Sequence, residues 1–135
     1  MKVVIDTAIW SLVLRRREPD ADVTAGLKAL IEDQRAIILG PIRQEVLSGF
    51  SDKKQFDRLR GKLHFFDDEA ILSQDYITAA EFSNACRMAG VQGSHTDYLI
   101  CACAYRLGFS IYTTDIDFTE YERHLPITLH GPKDR

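Results

Sequence analysis

The sequence predicts an α/β domain: a parallel sheet of four or five short strands with helices on both faces. Three observations carry this. Short β-branched or aliphatic runs such as "KVVID", "AIILG" and "FSIYT" alternate with longer stretches of helical periodicity, the pattern of repeated βαβ units. Glycine and proline punctuate the helical stretches rather than the strands. The 135 residues, 45% apolar and 27% charged, suit one domain with a sizeable core. There is no internal repeat, low-complexity tract or linker.

The elements follow in order. "KVVID" reads as a buried strand, and "TAIWSLVLRRR" as a helix ending in the basic cluster Arg15, Arg16 and Arg17. Pro19 and Asp20 suit the start of a helix carrying Val23, Leu27, Leu30 and Ile31 at near-helical spacing. "AIILG" is a second strand. Pro41 then opens a helix, where its missing N–H costs nothing, with Ile42, Val46 and Phe50 at i, i+4 and i+8. "KKQFDRLRGKL" reads as a helix closed by Gly61, and "HFFD" as a third strand. A long helix over residues 73 to 89 stops at Gly90, and "SHTDYLICACAYRLG" is a helix ending at Gly108. "FSIYT" is the fourth strand, "LPITLH" a short fifth, and "GPKDR" a loose tail.

Composition narrows the function. A net charge of −3 and a pI near 5.8 are not those of a globally basic nucleic-acid binder, so such a role needs a local patch. Cys86, Cys101 and Cys103 are an odd set without zinc spacing, which predicts reduced core thiols. The apolar run before Asp6 is too short for a signal peptide, and no run approaches a membrane span. A soluble cytoplasmic protein is expected.

Open parallel sheets place their sites at the carboxyl ends of the strands. Asp6 ends the first strand; Asp115 ends the fourth, with Asp117 two residues on. Glu45 lies early in the helix after the second strand, and Asp97 in the first turn of the helix before the fourth. If the first and fourth strands are neighbours, these acids share one cleft. Each also has a local explanation: Asp6 as an N-cap, "SHTD" as a capping box, Glu45 as a solvated helix residue, Asp115 and Asp117 as turn residues. Local roles do not explain why so many acids stand at one sheet edge.

Carboxylates a few ångströms apart cannot all ionise unaided, and a divalent cation turns their repulsion into ligation. Oxygen donors without clustered histidine or cysteine favour Mg²⁺ or Mn²⁺, and Mg²⁺ shares its shell with substrate phosphates. Phosphate chemistry follows. Thr7, Thr113 and Thr114 stand beside the acids and can orient carboxylates or bind phosphate.

Four segments, "VVIDTAIW", "GPIRQEVLSGF", "HTDYLICACAYRLG" and "IYTTDIDF", together resemble PIN-domain ribonucleases, specifically the VapC toxins of toxin–antitoxin pairs. The resemblance spans nearly the whole chain. It implies a doubly wound α/β/α sandwich over residues 1–130, with 131–135 a short tail. It implies a Mg²⁺- or Mn²⁺-dependent endoribonuclease, neutralised by a VapB-type antitoxin and paired as a homodimer. The four family acids map onto Asp6, Glu45, Asp97 and Asp115, and Asp117 matches an extra acid of many members. Metal ligation is expected of Asp6, Asp97, Asp115 and Asp117, with Glu45 holding metal or orienting the water. Cleavage would leave a 3′-hydroxyl and a 5′-phosphate.

RNA binding beside an acidic cleft needs cations. Arg43 and the helix with Lys53, Lys54, Arg58, Arg60 and Lys62 are candidates, with Thr7, Thr113 and Thr114 at the cleft itself. His95 reads as a cap-turn residue, and Trp10 and Phe50 as packing residues. The antitoxin is expected on the segment from Trp10 to Phe66. A phosphoacceptor receiver domain fits less well, since Asp6 has no paired acid and no lysine follows the last strands until Lys133. A D-x-D phosphatase would carry its motif on the first strand. A non-catalytic RNA-binding module is the remaining alternative.

Overall fold

The computed structural model describes residues 1–15 and 18–131. Arg16, Arg17 and all of the tail beyond Gly131, Lys133 included, lie outside the described residues. The chain runs β1 (Val3–Ile5), α1 (Thr7–Leu14), α2 (Ala21–Glu32), β2 (Ala36–Leu39), α3 (Gly40–Ser48), α4 (Lys53–Leu63), β3 (Asp68–Glu69), α5 (Ser73–Met88), α6 (His95–Leu107), β4 (Ser110–Tyr112) and α7 (Asp117–Glu122). The four strands form a parallel sheet in the order β3-β2-β1-β4, flanked by helices.

Every residue of β1 and β4 is buried, as expected where helices cover both faces of a parallel sheet. Val3, Val4, Ile5, Ile38, Leu39 and Ile111 are fully buried, each contributing roughly 1.5–3 kcal/mol relative to exposure. The register pairs Ile5 with Tyr112, so β1 and β4 end at the same level although they are far apart in sequence.

Local chemistry sets the helix ends. Asp20 caps α2, accepting from the amides of Asp22 and Val23 at 2.9 and 3.0 Å. Pro41 sits in the first turn of α3, and Gly108 ends α6 with φ of 71°, a left-handed conformation that glycine adopts without strain. Helices α5 and α6 are joined by a buried ion pair. Arg106 donates to both oxygens of Asp75, at 2.7 and 2.9 Å, and to the Ala70 carbonyl at 3.0 Å. Asp75 also accepts the Leu72 amide at 2.8 Å. Burial pushes the Asp75 pKa up, but the Arg106 and Leu72 bonds outweigh it and hold the carboxyl below its ordinary value.

The structure differs from the sequence reading in five places. The third strand is Asp68–Glu69, not "HFFD", whose aromatics are used for packing: Phe66 meets the buried Trp10 edge-on, with ring centroids 5.4 Å apart. Gly61 lies inside α4, which continues to Leu63. Phe50 falls beyond the end of α3 and packs under Arg15, whose guanidinium carbon is 5.2 Å from the ring centroid. The segment "LPITLH" forms a single parallel bridge, Ile111 to Leu129, rather than a strand. An added helix, α7, follows Asp115 directly. The three cysteines are buried and free, as read. No described helix is long and apolar enough to cross a membrane.

Candidate metal centre

The adjacency of β1 and β4 assembles the site. Asp6 follows β1, and its amide donates to the Tyr112 carbonyl at the end of β4, 3.0 Å away. Asp6 is in the N-cap position of α1 but makes no side-chain capping bond. Its Oδ2 instead accepts the Thr113 hydroxyl at 2.8 Å. The same hydroxyl oxygen accepts the Asp115 amide at 3.0 Å, and Asp115 Oδ1 accepts the Asp117 amide at 3.0 Å where α7 begins. Thr113 thus links the ends of β1 and β4, and a turn of Asp115 onto Asp117 aims both acids to one side.

Asp97 arrives from α6. Ser94 caps that helix, accepting the Asp97 amide at 3.0 Å. The capping box read from "SHTD" is therefore present in its serine half. The Asp97 carboxylate has another partner: Tyr121 of α7 donates to Oδ2 at 2.7 Å. Tyr121 is fully buried, against Tyr98 and Phe118, with ring centroids 5.3 and 5.1 Å away. Gly93 makes room for this cluster, since a Cβ there would lie 2.6 Å from the hydroxyls of both Tyr98 and Tyr121. Glu45, on α3, accepts a long hydrogen bond of 3.4 Å from Thr7.

One carboxylate oxygen each of Asp97, Asp115 and Asp117 lies within 4.8 Å of the others. Octahedral Mg²⁺ holds its ligand oxygens about 3 to 4 Å apart, so three hard donors at this spacing fit such a cation with little movement. Asp6 and Glu45 are outside this tight group but within electrostatic reach of Asp97. Burial raises the Asp6 pKa to about 6; the Thr113 bond and the amides of Thr7 and Ala8 pull against it, and the Asp97 charge adds to it. Burial also raises Asp97, against the bonds from Tyr121 and Ser94 and together with the charges of Asp115 and Asp117. Glu45 is raised by burial and by Asp97, against Thr7. Tyr121 is pushed well above its ordinary value, by burial and then by Asp97, so its phenol remains a donor. A cluster whose acids hold their protons too tightly is one that a cation would relax.

The remaining sequence candidates divide. Thr7 and Thr113 orient carboxylates, and Thr114 is exposed. Arg43 is a strut and not a free cation: it donates to Asp68 at 2.8 Å and to the carbonyls of Leu63 and Phe66 at 2.9 and 2.5 Å, securing the approach to β3. On α4, Lys53 and Arg60 both pair with Asp57, at 3.2 and 3.5 Å. Sequence reasoning missed Tyr121. The signal was present, because Tyr121 lies four residues after Asp117 and shares its face once "DFTEYE" is read as a helix.

A family model described as PIN domain matches residues 3–124. The chain belongs to the PIN domain family. A search of the curated proteins by sequence returns no significant match. Among solved structures, this PIN domain is similar to a chain of FitAcB from Neisseria gonorrhoeae, with a TM-score of 0.79 and 19% identity over 98% of this chain and 99% of that one. It is similar to a chain of VapBC2 from Rickettsia felis bound to a promoter DNA fragment, with a TM-score of 0.76 and 18% identity over 96% and 98%. A toxin–antitoxin complex from Klebsiella pneumoniae matches at a TM-score of 0.63 and 26% identity over 87% and 90%. The PIN fold is common to all three.

Proposed function

We propose that this PIN domain is a Mg²⁺- or Mn²⁺-dependent endoribonuclease acting as the toxin of a toxin–antitoxin pair. The observation that carries the reading is the convergence of Asp97, Asp115 and Asp117 from two elements onto one point, with oxygens within 4.8 Å. The toxin role is supported by the similarity to toxin–antitoxin complexes, and it brings an antitoxin partner, a homodimer and a cytoplasmic setting.

Asp97, Asp115 and Asp117 would hold the cation, with Asp6 beside them as a fourth ligand or a charge that tunes the set. The bound cation would supply charge to draw a non-bridging phosphate oxygen and acidify a water. Glu45, tethered by Thr7, orients that water and accepts its proton. The water oxygen bonds to phosphorus as the P–O3′ bond breaks. The leaving oxygen takes a proton from solvent water, so the products carry a 3′-hydroxyl and a 5′-phosphate. Tyr121 and Thr113 keep the reacting carboxylates in place, reducing reorganisation during the reaction.

The test is induced expression of the unsubstituted protein and of Asp6→Asn, with mapping of RNA 5′ ends. Growth arrest and discrete 5′-phosphate ends are expected with the first alone. Equal toxicity and equal cleavage from both would refute the assignment.

A further inference from the structure

We propose that Arg15 holds the RNA phosphate beside the one that is cut. This contact rests on the nuclease reading and adds a substrate-binding group to that site. Helix α1 begins at the centre, where Thr7 bonds Glu45 of α3 at 3.4 Å, and it ends against the same stretch of chain. There the Arg15 guanidinium fills the space that a Cβ on Gly49 would take. It also lies over the Phe50 ring, 5.2 Å from the centroid, a cation–π placement that holds it. Gly49 follows Glu45 by four residues and closes α3 in helical conformation. A Cβ there would stand about 5–6 Å from that of Glu45, on the same helix face. Contacts with residues distant in sequence therefore put the Arg15 guanidinium one helical turn from a carboxylate of the centre.

Charge and exposure identify the ligand. Arg15 is exposed and forms no ion pair among the described residues. Arg43 and Arg106, by contrast, bond carboxylates and carbonyls within the fold, and Lys53 and Arg60 share Asp57. A guanidinium stacked on a ring keeps its in-plane N–H fork open, and that fork matches two oxygens of a phosphate. Beside an acidic centre, a cation held without a carboxylate offsets the repulsion felt by an incoming polyanion. The separation from Glu45 gives Arg15 a flanking phosphate and leaves the reacting one to the centre itself.

The test separates this proposal from the nuclease reading. Asp6→Asn protein in Mg²⁺ is titrated with a labelled single-stranded RNA of about 12 nucleotides. In that background Arg15→Gln should weaken binding about tenfold and reduce the salt slope by about one, whereas Lys28→Gln on α2 should do neither. Gly49→Ala should weaken binding several-fold by displacing the guanidinium, and should add nothing to Arg15→Gln. With Asp6 intact, Arg15→Gln should raise KM and leave kcat within about twofold. Unchanged affinity in Arg15→Gln overturns the contact. So does a Gly49→Ala loss that is as large without Arg15 as with it, since the effect then runs through α3 and not through the guanidinium. Cleavage by the unsubstituted protein with Mn²⁺ is scored separately. Arg15-dependent binding without cleavage removes the nuclease reading and keeps the phosphate contact; cleavage with Arg15-independent binding does the reverse.

Discussion

Tyr121 donates its phenolic hydrogen to Asp97 Oδ2 across 2.7 Å, from a position with no solvent exposure. The bond occupies one oxygen of the carboxylate and stabilises its charged form. One oxygen of the same carboxylate lies within 4.8 Å of oxygens of Asp115 and Asp117. The same arrangement recurs at Asp6, where Thr113 holds Oδ2. Each acid is thus gripped by a hydroxyl from an element other than its own.

Tyr121→Phe removes that grip. The loss of one hydrogen bond should cost about 1 kcal/mol of stability. Cation binding should suffer more, because the Asp97 pKa, already raised by burial, rises further without the phenol. Mn²⁺ affinity by calorimetry should fall several-fold near pH 6 and recover in part as pH rises. A pH-independent loss would contradict this role.

Asp6 makes the cation-free protein less stable at neutral pH. Its folded pKa of about 6 exceeds the ordinary 3.8, so the native state binds the proton more tightly than the unfolded chain. Stability therefore falls as pH rises from about 4 to about 6, by up to ~3 kcal/mol, and levels off above that. Asp6→Asn should flatten this dependence in chelator and raise Tm at pH 7.5, while abolishing cleavage. Chemical denaturation across pH 4 to 8 measures it.

Arg106→Met should be among the most destabilising single changes, by roughly 3–5 kcal/mol, since it strands the buried Asp75 carboxylate. The double variant Arg106→Met with Asp75→Leu should recover much of that loss. Urea titrations of the two give the comparison.

Gly93→Val should damage the centre without touching an acid. Its side chain would displace the hydroxyls of Tyr98 and Tyr121, and with the latter the orientation of Asp97. Millimolar Mg²⁺ should raise the Tm of the unsubstituted protein, as a ligand specific to the native state does, and raise that of Gly93→Val much less.

Most of the architecture was legible because its physics is local. Strands β1, β2 and β4 are apolar runs buried on both faces, and Asp20, Pro41, Ser94 and Gly108 mark helix ends by their own chemistry. Strand β3 was not legible. It is two acidic residues on a sheet edge, held there by pairing with Ile38 and Leu39 and by the Arg43 bond to Asp68. "HFFD" looked like a strand because packing against Trp10 and edge pairing both call for aromatics. Helix α7 was hidden by brevity, although Phe118 and Tyr121, three apart and both buried, carried its period. In the sequence Asp6 and Asp115 stand out by their places at strand ends, and Glu45 and Asp97 by their places early in helices. Their hydroxyl partners required the three-dimensional arrangement, and Arg43 changed role once its neighbours were known.

The Thr113 to Asp6 bond spans 107 positions of sequence, and the Tyr121 to Asp97 bond needs α7. A ribosome translating this message therefore makes most of the polypeptide before any competent centre exists. Incomplete products, whether stalled or truncated ahead of residue 121, lack the hydroxyl that holds Asp97. If the chain is the proposed toxin, its harm to the producing cell would begin late in synthesis, which would leave time for a protecting partner to accumulate first.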